Sequence, residues 1–73
     1  MKKKLYIDGS FDEESTDKIK TQLQEIDSIK FVNINAKEKS VTATLRTQMK
    51  DEDIKEAIER IGDYNVDKIH DLD

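Results

Sequence analysis

A short run of oxygen-bearing side chains is the part of this 73-residue sequence best suited to bind a ligand. Asp12, Glu13, Glu14 and Ser15 are consecutive, and they follow Gly9 closely. Carboxylate and hydroxyl oxygens are ligands for hard cations. Calcium normally takes about six or more oxygens from a shaped loop, however, and the sequence has no EF-hand spacing. We therefore favour the alternative, a capped and acidic first turn of a helix, where carboxylates stabilise the positive end of the helix dipole.

Other chemically active residue types are few. The sequence has no cysteine, which excludes disulfides and thiolate metal sites, and it has a single histidine, His70. We predict a solvated His70, because the soft donors Met1 and Met49 have neither helical nor hairpin spacing to it. Ser10 and Ser15 lie far from His70 in sequence, so no nucleophile–base pair forms. With no glycine-rich phosphate loop either, we expect no enzyme activity.

The charge balance and the hydropathy exclude two classes of partner. Thirteen basic and 17 acidic residues give a formal net charge of -4, which argues against binding to nucleic acid. No apolar run approaches the ~20 residues that span a bilayer. Lys2, Lys3 and Lys4 could open a signal peptide, but Asp8 follows too soon for an apolar region, so these lysines are expected to solubilise a terminus. We expect one cytoplasmic domain over residues 1–73, with its core at about 4–70 and no membrane insertion.

The spacing of the apolar residues predicts six elements that would position these side chains. Alternation with period two indicates strands, and apolar residues three and four apart indicate helices. The predicted order is strand 4–8, helix 12–27, strand 29–35, strand 40–46, a helix that starts at Lys50 or Asp51 and ends at Ile61, and strand 64–70. Ser10 to Glu13 fits a capping box, and Gly62 is predicted to cap the second helix. In the last strand Val66 and Ile69 can both point inward only with a bulge, and residues 71–73 are predicted to fray.

The order β-α-β-β-α-β is typical of an α+β, ferredoxin-like sandwich. Because each helix has a single apolar stripe, both helices should cover the same face of a four-stranded antiparallel sheet and leave the other face open. The predicted core is Leu5, Ile7, Ile19, Leu23, Ile26, Val32, Ile34, Val41, Ala43, Leu45, Ile54, Ala57, Ile58, Ile61 and Val66.

Aromatic residues are expected on the open face of that sheet. Tyr6 and Phe31 are predicted there, and Ile69 is a further candidate. An RNA-binding sheet would carry aromatics on its first and third strands with basic neighbours, whereas the third strand here offers Thr42 and Thr44. A modestly apolar face for a protein partner, or simply exposed aromatics, is the preferred interpretation.

Five segments together resemble a known family. They are Leu5–Gly9, Ile26–Asn35 with Ser28 where glycine is usual, Ser40–Leu45, Asp53–Glu59 with the pattern I-x-x-A-I-E, and Gly62–Val66, which is similar to G-Y-x-V with one extra residue. Their order and spacing resemble the heavy-metal-associated domain of bacterial copper chaperones and of copper- and cadmium-transporting P-type ATPases. The resemblance implies the same ferredoxin-like fold.

The resemblance departs from the family at the metal loop, whose pattern is G-M-x-C-x-x-C. The corresponding residues are Gly9, Ser10, Phe11, Asp12, Glu13, Glu14 and Ser15. Asp12 and Ser15 therefore stand at the two cysteine positions. Copper(I) is a soft ion that prefers thiolate or thioether ligands, so we expect no metal site, no copper(I) and no other cofactor, with weak hard-cation binding left open.

The resemblance also implies a setting for the protein. Tyr64 matches the aromatic residue beside the metal loop in the family, although we favour a tyrosine at the edge of the core that closes the helix–strand corner. The implied function is a protein-interaction module for metal transport, with a metal-transport ATPase as the kind of partner and a monomer or weak dimer as its state. The alternative is residual metal binding or trafficking through oxygen and nitrogen ligands.

Overall fold

The computed structural model describes residues 1–9, 11–62 and 64–72, and it has the predicted order of elements. Their bounds are β1 (Lys2–Asp8), α1 (Glu13–Gln24), β2 (Ile29–Asn35), β3 (Ser40–Leu45), α2 (Asp51–Glu59) and β4 (Asn65–Asp71). The predicted bounds of β2 are confirmed. Helix α1 ends at Gln24 rather than at Asp27, because the Ile26 N–H already donates to the carbonyl of Leu23 at 3.1 Å in a tightened last turn.

The four strands form one antiparallel sheet in the order β2-β3-β1-β4. Strands β1 and β3 are central, and β2 and β4 are the edges. The apolar stripes of α1 and α2 join the inward side chains of the sheet in a single core, so the α+β ferredoxin-like prediction is confirmed. Within the described part of the chain, neither helix is long and apolar enough to cross a membrane.

The predicted core is confirmed at its centre and differs at its edge. Ile26, Ile34, Ala57, Ile61 and Val66 are only partly buried. The fully enclosed apolar side chains are Leu5, Ile19, Leu23, Val41, Ala43, Ile54 and Ile58.

Ile29 is a core residue that the alternation did not predict. The register between β2 and β3 shifts between Ile29 and Phe31, which adds one residue to β2 at Lys30. This irregularity lets Ile29 and Val32 point to the same side although they are three positions apart. Ile29 is consequently 2% exposed.

A second bulge settles the parity of β4. Tyr6 pairs with Lys68 and Ile7 pairs with Val66, so Asp67 is the extra residue. Val66 and Ile69 both pack against the core as a result, which decides a parity that the sequence left open. Ile69 lies opposite the buried Leu5, so its placement on the open face was wrong.

The C-terminal residues continue the sheet instead of fraying. Asp71 pairs with Lys3 in β4, and the N–H of Leu72 donates to the carbonyl of Lys2 at 2.9 Å. The prediction of a frayed tail was therefore wrong for these two residues, and Asp73 lies outside the described residues. Two backbone partners on β1 account for the difference.

Lys3 is buried, so the prediction that it solubilises the N-terminal segment was wrong. Its Nζ lies 2.7 Å from Oδ1 of Asp51 and 2.7 Å from Oδ1 of Asp71, and its side chain is 9% exposed. We call these three residues the lysine clamp. Hydrogen bonds to Asp51 and then to Asp71 raise the pKa of Lys3 above its ordinary value. The clamp ties the first turn of α2 to the end of β4.

Candidate metal loop

The connection from β1 to α1 begins at a glycine whose conformation other residues rarely adopt. Gly9 has φ 134°, a value that a Cβ would strain. Phe11, two residues later, packs partly buried against the core and fixes the far side of the connection. Ser10 lies between them, outside the described residues. The loop therefore has a required glycine at its start and an apolar contact just before the helix.

Asp12 is the N-cap of α1. It is extended, with φ -82° and ψ 178°, and its backbone carbonyl accepts the N–H of Thr16 at 2.9 Å. Its carboxylate Oδ1 accepts the N–H of Ser15 at 2.8 Å. The predicted cap at Ser10 was two positions too early, because α1 begins at Glu13. The cap satisfies one of the amides that the first turn of a helix leaves without an intrahelical partner.

The same contact sets the protonation of the carboxylate. The N–H of Ser15, followed by the Ser15 hydroxyl, lowers the pKa of Asp12 below its ordinary value. Both donors favour the ionised form, as does the positive end of the helix. The structure thus brings Asp12 and Ser15 together, but as a hydrogen-bonded pair within the cap.

The other acidic residues of the loop are exposed. Glu13 and Glu14 occupy the first turn, and the carbonyl of Glu13 accepts the Thr16 hydroxyl at 3.0 Å. These carboxylates add to the favourable charge at the helix N-terminus. The arrangement agrees with the capped, acidic first turn that the sequence favoured.

Tyr64 lies beside the start of the loop and belongs to the core. The pair Asp8–Asn65 places it next to the end of β1, and it is 8% exposed. A Cβ built on Gly62 would lie 3.1 Å from Cε2 of the Tyr64 ring. Gly62 therefore makes room for the ring. It is not the cap of α2, which ends at Glu59 with Arg60 as its C-cap. This position of Tyr64 agrees with the core-edge interpretation.

The donor set at the loop does not fit a soft metal ion. Asp12 and Ser15 supply hard oxygens, and the described residues include no group of three or more His, Cys, Asp and Glu side chains that could hold a metal. His70 is the penultimate residue of β4, opposite Lys4, and its ring meets the Tyr6 ring edge-on with centroids 5.7 Å apart. The loop is therefore equipped to stabilise a helix rather than to coordinate copper(I).

The family model of the heavy-metal-associated domain matches residues 4–63 of this sequence. The chain belongs to the heavy-metal-associated domain family. The match begins within β1 and ends beyond α2, so it includes the loop between β1 and α1 of this heavy-metal-associated domain. No curated protein matches the sequence.

Three solved structures show what this chain is similar to in fold. The yeast copper transporter domain Ccc2a, solved in apo and Cu(I)-loaded states, has a TM-score of 0.78 at 24% identity, covering 92% of this chain and 94% of its own. The CopZ metallochaperone has a TM-score of 0.80 at 21% identity, covering 90% and 98%. The N-terminal domain of PacS from Synechocystis PCC6803 has 0.80 at 14% identity, covering 97% and 98%. At these identities the likeness shows the fold.

Proposed function

We propose that this heavy-metal-associated domain is a protein-interaction module of metal transport that has no thiolate metal site. The observation that carries the proposal is the hydrogen bond between Asp12 and Ser15, the residues at the positions of the family's cysteines. The proposed degenerate metal-loop region comprises Gly9, Ser10, Phe11, Asp12, Glu13, Glu14, Ser15 and Tyr64. The proposed role of the protein is non-catalytic, and its expected location is the cytoplasm.

The cap argues against copper(I) at this loop on two grounds. Carboxylate and hydroxyl oxygens are poor ligands for a soft ion. The Asp12 carboxylate is also engaged through Oδ1 by the Ser15 N–H, so a cation that took this oxygen as a ligand would compete with a charge-assisted hydrogen bond. Glu13 and Glu14 are exposed, and a hard cation held there would keep most of its water.

The proteins of similar fold support one kind of partner. One protein of similar fold is described as a copper binding domain from HMA7, a P-type ATPase, with 18% identity and a TM-score of 0.77. Another is the N-terminal domain of PacS. The likeness supports a metal-transport ATPase or a related carrier as the partner. Such a partner would be recognised through the protein surface, because this chain has no thiolate to pass a copper ion on.

A copper(I) titration tests the absence of the metal site. Under reducing conditions, with a weak thiol as competitor, we expect no copper(I) binding by the unmodified protein. The double variant D12C/S15C should bind one copper(I) per chain, because it restores two thiolates at a helix N-terminus. The matched control K18C/T21C places two cysteines three positions apart on the exposed side of α1 and should bind far more weakly.

Two outcomes would contradict the proposal. Stoichiometric, tight copper(I) binding by the unmodified chain would show that the loop retains a metal site. Equal binding by the two cysteine variants would show that Asp12 and Ser15 do not occupy ligand positions. Amide shifts confined to residues 9–15 on adding Zn²⁺ or Ca²⁺ would instead favour the alternative, metal handling through oxygen and nitrogen ligands.

A further inference from the structure

The two edge strands of the sheet differ in how they are protected against pairing with another strand. Edge strand β4 carries the charged residues Asp67, Lys68 and Asp71, and its bulge lies at Asp67. Charged side chains and bulges are the usual protection of a sheet edge. Edge strand β2 has its bulge and its one charged residue together at Lys30, near its start. The residues Phe31–Asn35 are therefore a regular and uncharged segment, which we call the β2 edge.

The hydrogen-bond pattern of the sheet shows which backbone groups of the β2 edge point outward. The N–H of Ile7 donates to the carbonyl of Lys39 at 2.8 Å, so the odd-numbered residues of β3 bond to β1 and the even-numbered ones bond to β2. The register places the odd-numbered residues of the β2 edge opposite these even-numbered ones. The N–H and carbonyl groups of Val32 and Ile34 consequently point away from β3, and no described residue bonds to them there.

A second copy of the chain can pair with these groups in one symmetric, antiparallel register. If Asn33 of each copy lies opposite Asn33 of the other, all five residues of the β2 edge are paired and the bulge at Lys30 stays outside the pairing. Val32 of one copy is then opposite Ile34 of the other, and both residues present outward backbone groups. Four backbone hydrogen bonds result, two for each such pair. Because both copies use the same residues, the contact is closed and two-fold symmetric.

The side chains of the β2 edge suit this register on both sides of the sheet. On the helix side, the buried Val32 would lie beside the partly buried Ile34 of the second copy, which extends the apolar layer across the edge. On the other side, Phe31 is 43% exposed and would lie beside Asn35. The neutral Asn33 meets its own copy at the centre, so no like charges are opposed there.

The charges around the β2 edge do not select an oppositely charged partner. The flanking residues are of mixed sign, with Asp27 and Lys30 before the segment and Lys37 and Glu38 after it. Glu38 is already paired with Lys4, with 2.6 Å between Oε2 and Nζ. Each copy has a formal net charge of -4, so two copies repel each other through solvent. Self-association should therefore become stronger as salt screens this repulsion, whereas a contact held by ion pairs would become weaker.

We propose that the β2 edge pairs with the β2 edge of a second copy, so that two four-stranded sheets join into one. This inference goes beyond the interaction role proposed above and does not depend on the metal loop. The symmetric match of Val32 with Ile34 and of Asn33 with itself favours a second copy over an unrelated strand. Because the β4 edge is charged and bulged, association should stop at the dimer. The contact is small, so we expect a weak dimer with a Kd of about 1 mM.

The test follows amide chemical shifts and translational diffusion from about 0.05 to about 2 mM protein at about 0.15 M salt. The amides of Val32 and Ile34 should shift with concentration, because their N–H groups gain acceptors, and diffusion should slow. About 0.5 M salt should strengthen this association. The variant N33K opposes two like charges and should weaken association about threefold to fivefold. The control N65K makes the same change on exposed β4 and should not weaken it.

Mixing two opposite variants tests the register itself. N33K and N33E should each associate weakly, whereas their equal mixture should associate at least as strongly as the unmodified protein, because opposite charges then face each other. The inference is overturned by shifts that do not depend on concentration, by weakening in salt, by equal losses in N33K and N65K, or by no recovery in the mixture. Amides of Val32 and Ile34 that respond only to an added metal-transport ATPase domain would assign the edge to an unrelated strand and refute self-pairing. The copper(I) titration is independent of all these results.

Discussion

The lysine clamp predicts an unusual order of stabilities among simple variants. Lys3 is the enclosed member, with 9% of its side chain exposed, whereas Asp51 and Asp71 are 58% and 69% exposed. When one aspartate is replaced with asparagine, the Lys3 ammonium still contacts the other carboxylate. Because both carboxylates are largely solvated, each single change should lower the free energy of unfolding by only about 1 kcal/mol. Replacing both leaves a nearly buried ammonium without a carboxylate, which should cost about 3 kcal/mol.

Removing the lysine itself should do less harm. Lys3→Met keeps an apolar chain of similar length in the enclosed position, and the two carboxylates that lose their partner remain in water. We expect a loss of about 1 kcal/mol, smaller than that of D51N/D71N. The measurement is urea unfolding at neutral pH followed by circular dichroism, with Lys18→Met on the exposed side of α1 as a control that should change stability by less than about 0.5 kcal/mol.

Alkaline pH provides an independent check of the same contact. Because the clamp raises the pKa of Lys3, its stabilisation is complete below the ordinary value of 10.5 and is lost as pH rises through the higher folded-state value. The unmodified protein should therefore lose more stability above about pH 10.5 than Lys3→Met does. Strictly additive aspartate effects, or a Lys3→Met loss larger than that of the double aspartate variant, would refute the reasoning.

Three further results are expected. The pKa values of Asp12 and Glu38 are lowered, so the stability that their ionised forms add to the fold is complete above the ordinary values of 3.8 and 4.5 and is lost as pH falls through the lower folded-state values. The melting temperature should therefore decline only below about pH 4.5. A decline that is complete at higher pH would contradict this. Gly62→Ala should cost about 1 kcal/mol in urea unfolding, because its Cβ would lie 3.1 Å from the buried Tyr64 ring; a gain in stability would show that the ring can move. The metal-free variant D12C/S15C should have a lower melting temperature than the unmodified protein, because residue 12 no longer caps α1 with a carboxylate. Copper(I) should raise the melting temperature of this variant. If the metal-free variant melts at the same temperature as the unmodified protein, the cap contributes little to stability.

The sequence predicts the elements well because their signals are local. Alternation defines β3, where Val41, Ala43 and Leu45 point inward. The spacing of Val66 and Ile69 leaves the parity of β4 open, and the bulge at Asp67 decides it. What it does not predict depends on distant contacts. Lys3 has the same inward parity as its buried strand neighbours, but its partners are 48 and 68 residues away, so no local pattern shows that its charge is matched.

At the candidate site, too, local sequence does not decide between two predictions. Ser10 and Asp12 are both good N-cap residues, and spacing alone allows either. The start of α1 is set instead by the left-handed Gly9 and by the packing of Phe11, which carry the chain two residues further before it turns helical. Local sequence likewise favours Gly62 as the cap at the end of α2, because glycine is common there. In the structure, a side chain at this position is disfavoured instead by the nearby ring of Tyr64.

Capping and soft-metal binding are competing uses of the same helix N-terminus. Thiolates at this place would be stabilised by the helix dipole, but cysteine sulfur is a weak hydrogen-bond acceptor and caps the first amides less well than a carboxylate does. In this chain the Asp12 carboxylate accepts the Ser15 N–H at 2.8 Å, so the N-terminus of α1 is capped without an ion. Asp12 and Ser15, which the family resemblance predicts at the cysteine positions, therefore give the start of α1 an order that does not depend on a metal ion. A scaffold fixed in this way can present its remaining surface to a partner whether or not metal is available.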